Sequence, residues 1–167
     1  MSGGLGAIII RRAVADDAPA LIGLYRQLDD VHAVAEPDVV PTFAEAPRDL
    51  DDIRRTIEAG QRPMWVAVDA AAGDMVIGFA EVRIIELGDL FRFPRVPEVE
   101  NLAVDERYRG RGIGRQLMRA AEDWARAEGM AEIWVAAWDF NSPAAGLYRS
   151  EGFRPLSTRY RKPLHGE

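Results

Sequence analysis

Residues 98–114 read EVENLAVDERYRGRGIG and connect an apolar, strand-like segment to a run of glycines. The first part of this stretch predicts a short strand over residues 98–104. Residues 112–128 then repeat apolar side chains at helical spacing and predict the clearest helix of the chain. Gly110, Gly112 and Gly114 lie just before and at the start of this helix, where they allow a tight turn and a close approach of the backbone to a ligand.

The start of this predicted helix has the properties of an anion-binding site. The first N–H groups of a helix lack intrahelical partners, and the helix dipole adds partial positive charge there. The glycine-rich run therefore predicts a site for phosphate or pyrophosphate. Four arginines add cationic side chains, namely Arg107, Arg109, Arg111 and Arg115. A turn that only joins a strand to a helix stays open as an alternative.

Two nucleotide-binding motifs do not fit this run. A Walker motif needs Lys and then Ser or Thr after its last glycine, whereas Gly114 is followed by Arg115 and Gln116. A dinucleotide fingerprint that begins at Gly110 would need a glycine at position 115. A nucleotide-binding protein is therefore the disfavoured alternative.

The rest of the chain predicts one mixed α/β domain with helices on the faces of a sheet. The predicted strands are residues 7–12, 64–69, 75–87, 98–104, 131–138 and 153–162. The predicted helices are residues 16–28, 49–59, 112–128 and 142–151, the last capped by Ser142. Residues 29–47 contain three prolines and predict an irregular loop or a short helix, and residues 88–97 predict a second loop.

Composition excludes several functional classes. The 167 residues contain no cysteine, which excludes a disulfide framework, a thiolate zinc site and a cysteine nucleophile. Two histidines and a net charge of -6 argue against a histidine metal site and a nucleic-acid surface. No apolar stretch approaches the ~20 residues that span a bilayer. We expect a cytoplasmic protein without a metal, nucleic-acid or membrane partner.

Two blocks of this sequence resemble the GNAT superfamily of acyl-CoA-dependent N-acyltransferases. Arg109, Gly112 and Gly114 match its glycine signature. The second block comprises Asn141, Ala144, Leu147, Tyr148, Gly152 and Phe153. The resemblance implies a single GNAT-like domain over residues 1–167, with a central mixed, mostly antiparallel sheet of six to seven strands and about four helices. It also implies acetyl-CoA as co-substrate, a primary amine of a small molecule or peptide as acceptor, and a possible homodimer.

The same resemblance implies which residues hold coenzyme A. Backbone groups of Leu102, Ala103 and Val104 would pair with the pantetheine arm by strand addition, and Asn141 would contact the same arm. The pyrophosphate would lie on the backbone of Arg109, Gly110, Arg111, Gly112, Ile113, Gly114 and Arg115.

The resemblance also implies direct transfer of the acyl group to the amine. An alkylamine has a pKa of roughly 10 and must lose a proton before attack. Glu98 and Glu100 are the candidate bases on one face of the predicted strand, with Glu100 favoured. Tyr148 matches the usual proton donor to the leaving thiolate. The alternatives are structural roles for these side chains, and a non-catalytic coenzyme A-binding sensor or interaction module.

Overall fold

A computed structural model describes residues 7–164, which build a five-stranded sheet in the order β1-β2-β3-β4-β5. The strands are β1 Ile8–Arg12, β2 Met64–Asp69, β3 Met75–Glu86, β4 Arg95–Val104 and β5 Trp134–Val135. The first four strands pair antiparallel, and β5 runs parallel to β4. The predicted mixed, mostly antiparallel sheet is confirmed, but it has five strands in residues 7–164 rather than six to seven.

Residues 7–164 form four α-helices, as the sequence predicts. They are α1 Ala18–Ala35, α2 Leu50–Ala59, α3 Ile113–Ala127 and α4 Ser142–Ser150. Asp49 caps α2 by accepting a hydrogen bond from the backbone N–H of Asp52, and Gly60 ends this helix with a positive φ of 64°. None of the helices in the described range combines the length and apolarity needed to cross a bilayer.

Helix α1 covers one face of the sheet, and helix α3 covers the other. On one face, Leu21 and Tyr25 of α1 pack against Val66 and Phe79, and the rings of Tyr25 and Phe79 lie 4.5 Å apart. Leu117 of α3 is fully buried on the other face, near Gly78 of β3. Burial of each large side chain stabilises the fold by about 1.5–3 kcal/mol. These contacts fix β3 and β4 between two helical layers.

The chain divides into two compact units, one up to Ala136 and one from Ala137 onward. The first contains the sheet with α1, α2 and α3. The second contains α4, whose N-cap is Asn141 rather than the predicted Ser142. Pro143 still lies in the first turn of the helix, where the N–H that proline lacks would have no intrahelical acceptor.

Helix α1 is longer than predicted because the break expected at residue 29 does not occur. The exposed Val31 and Val34 end the amphipathic pattern, yet residues 29–36 contain neither proline nor glycine. Ala33 remains buried, and Asp30 accepts a hydrogen bond from the backbone N–H of Phe43 at 2.9 Å. Tertiary packing thus extends α1 to Ala35.

The predicted strands after α3 are shorter or absent. Only Trp134 and Val135 of the predicted strand 131–138 pair with β4. The strand predicted over residues 153–162 is wrong, because residues 153–162 form no strand in the described structure. Leu156 and Tyr160 are 64% and 90% exposed there. A strand needs a neighbouring strand to satisfy its backbone hydrogen bonds, and the local sequence of this segment does not specify one.

Candidate active site

The glycine-rich run forms a tight turn into α3. Gly110 and Gly112 have φ values of 75° and 76°, a region that side chains disfavour, which explains why glycines occupy both positions. Gly112 is the N-cap of α3 and therefore supplies no capping side chain. No N-cap side chain therefore accepts a hydrogen bond at the start of α3, and the helix dipole favours an anion at this point.

Asp105 fixes the turn that leads into the glycines. Its carboxylate accepts 3.0 Å hydrogen bonds from the backbone N–H, Nε and Nη2 of Arg107. The hydrogen bonds from Arg107 lower the pKa of Asp105 to about 2, although burial opposes the shift. The backbone N–H of Tyr108 also donates to the Asp105 carbonyl at 2.8 Å. One buried carboxylate thus orders the residues immediately before the run.

Two arginines of the run lie along its backbone. Arg109 Nε donates to the Val104 carbonyl at 3.1 Å, which ties the loop to the end of β4. Arg111 Nη2 donates to the Arg107 carbonyl at 3.1 Å, and its guanidinium lies 5.0 Å from the ring centre of Tyr108. Both guanidinium groups are therefore held against the backbone that leads from β4 into the glycine-rich run.

A cavity of about 370 Å³ adjoins this turn between α1 and the segment after β4. Its lining residues are Gln27, Asp30, Val31, Val34, Glu106 and Arg109. Gln27 holds one wall by donating to Asp105 at 3.3 Å and accepting from the backbone N–H of Glu106 at 3.0 Å. Arg109 thus belongs both to the glycine-rich run and to the wall of this cavity.

One edge of β4 is open just before the glycine-rich turn. Strand β5 pairs with β4 only at Glu98 and Val99. In the described chain, no strand pairs with this edge over residues 100–104, although β3 pairs with the opposite edge. The sequence-predicted Leu102, Ala103 and Val104 lie on this open edge, which can accept an extended ligand by backbone hydrogen bonding.

Glu98 and Glu100 converge on one arginine despite an irregularity in the sheet. The β3–β4 register shifts between Glu81 and Val82, so Glu100 is an extra residue on β4. Arg83 Nε and Nη2 both donate to Glu98 Oε1, at 3.1 and 2.7 Å, and its Nη1 donates to Glu100 Oε1 at 3.0 Å. The two predicted candidate bases are therefore brought together.

The two carboxylates differ in how many of their oxygens are occupied. Arg62 Nη1 contacts Glu100 Oε2 at 2.7 Å, so both oxygens of Glu100 have an arginine partner. Both hydrogen bonds to Glu98 end on Oε1, and its Oε2 accepts no hydrogen bond from a residue within 7–164. Glu98 thus keeps one oxygen available as a proton acceptor.

Glu81 is a further carboxylate of this cluster that our sequence analysis missed. It is 3% exposed and accepts hydrogen bonds from the Tyr25 hydroxyl at 2.8 Å, Asn101 Nδ2 at 2.7 Å and Arg62 Nη1 at 2.9 Å. Burial raises the pKa of Tyr25, and Glu81 raises it further, so this hydroxyl remains a donor. The sequence signal for Glu81 was a glutamate inside the apolar run of β3, because a buried charge requires hydrogen-bonding partners.

The second unit contains the other two predicted site residues. Asn141 Oδ1 accepts a hydrogen bond from the backbone N–H of Ala144 at 3.2 Å, so its side chain caps α4. The Tyr148 ring lies 6.0 Å from the ring of Phe153. Burial raises the pKa of Tyr148 to about 12, which keeps its hydroxyl protonated at neutral pH.

Sequence comparison gives matches over most of the chain. Residues 25–153 match the profile of the Acetyltransferase (GNAT) family. The chain is 35% identical over 120 residues to streptothricin acetyltransferase of Streptomyces lavendulae, which covers 71% of this chain but 59% of that protein. It is 30% identical over 149 residues to the L-methionine sulfoximine/L-methionine sulfone acetyltransferase of Pseudomonas paraeruginosa, covering 86% of this chain and 78% of that one.

Structure comparison agrees on the fold. The aminoglycoside N-acetyltransferase AAC(6')-Iy in complex with CoA matches with a TM-score of 0.72 at 22% identity, over 97% of this chain and 99% of that one. The open edge of β4 and the glycine-rich turn thus occur in a fold shared with known acetyltransferases. The family profile covers 25–153, well over half of the chain, and the chain therefore belongs to the acetyltransferase (GNAT) family.

Proposed function

We propose that this protein transfers an acetyl group from acetyl-CoA to a primary amine of a small molecule or peptide. The observation that carries the proposal is the open edge of β4 over residues 100–104, directly before the glycine-rich turn. Streptothricin and L-methionine sulfoximine, which name two relatives, are small molecules rather than macromolecules. The CoA complex of AAC(6')-Iy supports the choice of cofactor.

The cofactor would lie along two adjoining backbone surfaces. Leu102, Ala103 and Val104 would hydrogen-bond its pantetheine arm along the open edge of β4. The backbone from Arg109 to Arg115 would hold its pyrophosphate, because the start of α3 and the nearby guanidinium groups attract anions. Asn141 is a further proposed contact. When bound, acetyl-CoA supplies a thioester, an acyl group activated for attack by an amine.

Glu98 is the base that the geometry favours. Its Oε2 is not engaged by an arginine, whereas both oxygens of Glu100 are. Glu98 would accept the proton that the ammonium loses, directly or through a water, and the amine nitrogen would then attack the acyl carbon. Glu100 would hold Arg62 and Arg83 in place. This assignment reverses the sequence-based preference for Glu100.

Tyr148 is the proposed acid. As the new C–N bond forms and the C–S bond breaks, the sulfur takes up a proton and coenzyme A leaves as a thiol. A hydroxyl with a pKa of about 12 is fully protonated near neutral pH and can supply that proton. The nitrogen loses its second proton as the amide forms, and this proton returns to the phenolate through solvent. Glu98 releases the first proton to solvent before the next cycle.

The test is an acetyl-transfer assay that measures release of the free thiol with a panel of primary amines. We expect turnover with acetyl-CoA, and a rise in the unfolding midpoint of roughly 5–10 °C with coenzyme A at a hundred times its dissociation constant. Glu98→Gln should lower kcat on the order of 100-fold, and Glu100→Gln by much less. No transfer to any amine, or a midpoint shift with ATP or NAD alone, would overturn the proposal.

Three broader expectations remain proposals. We propose that residues 1–167 contribute a single N-acetyltransferase domain, that it works in the cytoplasm, and that it forms a homodimer. The aligned part spans little more than half of two relatives, namely 59% of the streptothricin enzyme and 55% of the N-alpha-acetyltransferase RimI of Mycobacterium tuberculosis. Properties of the whole protein are therefore proposed here. Light scattering of the purified protein would test the dimer directly.

A further inference from the structure

Arg62 turns one side of its guanidinium toward the carboxylate cluster and leaves the other side open. Its Nη1 lies 2.9 Å from Glu81 Oε1 and 2.7 Å from Glu100 Oε2. Its Nε and Nη2 donate no hydrogen bond to any residue in the described range 7–164, and the side chain is 42% exposed. The Nε–Nη2 edge carries two parallel N–H donors, the arrangement that binds a carboxylate bidentately.

Arg83 shows what such an edge does in this same cluster. Its Nε and Nη2 both donate to the carboxylate of Glu98, at 3.1 and 2.7 Å. Its Nη1 contacts Glu100, as the Nη1 of Arg62 does. Both arginines therefore contact Glu100 through Nη1. They differ in that Nη1 of Arg62 also contacts Glu81, and in that the Nε–Nη2 edge of Arg62 donates to no carboxylate of the described chain.

The open edge of Arg62 is held in a fixed orientation. Glu81, which holds Nη1, is buried and is itself fixed by Tyr25 and Asn101. Arg48 covers the ring of Tyr25 at 4.1 Å. Burial works against the charge of Arg62, but the contacts with Glu81 and Glu100 outweigh it and raise its pKa. A ligand would therefore meet a permanently charged group whose position is already set.

The carboxylate cluster has one negative charge more than its two arginines neutralise. Glu81, Glu98 and Glu100 carry three negative charges, and Arg62 and Arg83 carry two positive ones. An ammonium group would balance the remaining charge. Because Glu100 touches Arg62, a negative and a positive site lie side by side, which matches a ligand that carries an ammonium and a carboxylate on one carbon.

We propose that the acceptor is an α-amino acid, whose carboxylate binds the Nε–Nη2 edge of Arg62 while its amine lies at Glu98 and Glu100. This inference rests on the proposed acetyl transfer and adds the substrate class. Arg62 is then a specificity-determining residue that recognises a group remote from the bond being made. A peptide with a free amino terminus has no carboxylate next to its amine and would not fill this edge.

The experiment compares three forms of each acceptor: the twenty L-amino acids, their α-amides and the corresponding decarboxylated amines. In the wild type, kcat/KM for the best amino acid should exceed that of its amide and its amine by at least about tenfold, because a bidentate carboxylate contact is lost in both. The same three forms are then assayed with Arg62→Lys. This variant keeps a positive charge for Glu81 and Glu100 but has no planar edge of paired donors.

The readout is the ratio of kcat/KM for the amino acid to that for the amine, so a general loss of activity cancels. We expect this ratio to fall toward one in Arg62→Lys and to stay at the wild-type value in Arg55→Gln, an exposed arginine of α2 paired with Asp52. A thermal melt confirms that both variants fold. Equal use of acids, amides and amines by the wild type, or an unchanged ratio in folded Arg62→Lys, overturns the inference alone. Absence of transfer to every acceptor overturns the proposed function and the inference with it.

Discussion

Glu81 and Glu100 share a single guanidinium nitrogen, Nη1 of Arg62, at 2.9 and 2.7 Å. Glu81 is almost fully buried, whereas the side chain of Glu100 is 26% exposed. Arg62 thus links a structural carboxylate inside the fold to the carboxylates that face the proposed acceptor. Stability and activity should respond differently to changes at the two ends of this link.

Glu81→Gln should destabilise the protein by about 1–3 kcal/mol, because hydrogen bonds to a buried charged group are lost while Arg62 keeps its charge. Urea unfolding measures the change. Glu86→Gln, at the exposed end of β3, is the matched control and should change stability by no more than about 0.5 kcal/mol. Equal stability of the two variants would show that the buried cluster contributes nothing to the fold.

Gly78→Ala should destabilise the fold by about 1–3 kcal/mol and weaken coenzyme A binding. A Cβ at Gly78 would lie 2.9 Å from the Ala103 carbonyl oxygen, so β4 must shift where the pantetheine arm is proposed to bind. Gly23→Ala is the control, since it lies within α1 with nothing within 4 Å of the added Cβ, and it should stabilise by about 0.5–1 kcal/mol. Urea unfolding measures the change in stability, and calorimetric titration with coenzyme A measures the change in affinity.

Gly112→Ala should strain the backbone by about 1–2 kcal/mol, because its φ of 76° disfavours a side chain. Gly73→Ala, in the turn between β2 and β3, has a φ of 73° and should show a similar loss of stability. Calorimetry should find weaker coenzyme A binding only in Gly112→Ala, since its new methyl group lies at the start of α3. Equal affinity for coenzyme A in both variants would show that the pyrophosphate does not bind at this turn.

Tyr148→Phe should lower kcat on the order of 100-fold, because the leaving sulfur loses its proton donor. Coenzyme A affinity should change little, and calorimetry checks it independently of turnover. The pKa of about 12 predicts that the wild type keeps this acid protonated to well above pH 9, so Tyr148 should contribute no loss of kcat below that pH. If Tyr148→Phe keeps the wild-type kcat, Tyr148 is not the acid and only packs beside Phe153.

Asp105→Asn should remove a pH-dependent part of the stability. The folded pKa of about 2 lies below the ordinary 3.8, so the charged carboxylate stabilises the fold above pH ~4, and this contribution disappears as the pH falls through about 2. The difference corresponds to roughly 2 kcal/mol. Urea unfolding from pH 6 to pH 2 should therefore show the wild type and the variant converging. A constant difference between them would contradict the role of the Arg107 contacts.

Local patterns in the sequence predicted much of the fold correctly. The bounds of β2 agree with the prediction, and α2 ends at Gly60 as its sequence indicates. The predicted glycine-rich turn leads into α3. Each of these features depends on neighbouring residues, through apolar periodicity, capping side chains and glycines that adopt positive φ.

Other features depended on contacts that local patterns do not encode. The extension of α1 to Ala35 and the missing strand over residues 153–162 both reflect the presence or absence of a partner distant in sequence.

The sequence by itself determined the family and the residues proposed to bind the cofactor, because the glycine-rich run and its helix are contiguous. Only the tertiary structure decided how the carboxylates are engaged. Glu81, Glu98 and Glu100 meet Arg62 and Arg83 through the pairing of β3 with β4 and its shift in register at Glu81. That shift, and the entry of Arg62 from the loop before β2, set which oxygen of each carboxylate an arginine occupies. Such geometry arises from strand register and long-range packing, which no local periodicity specifies.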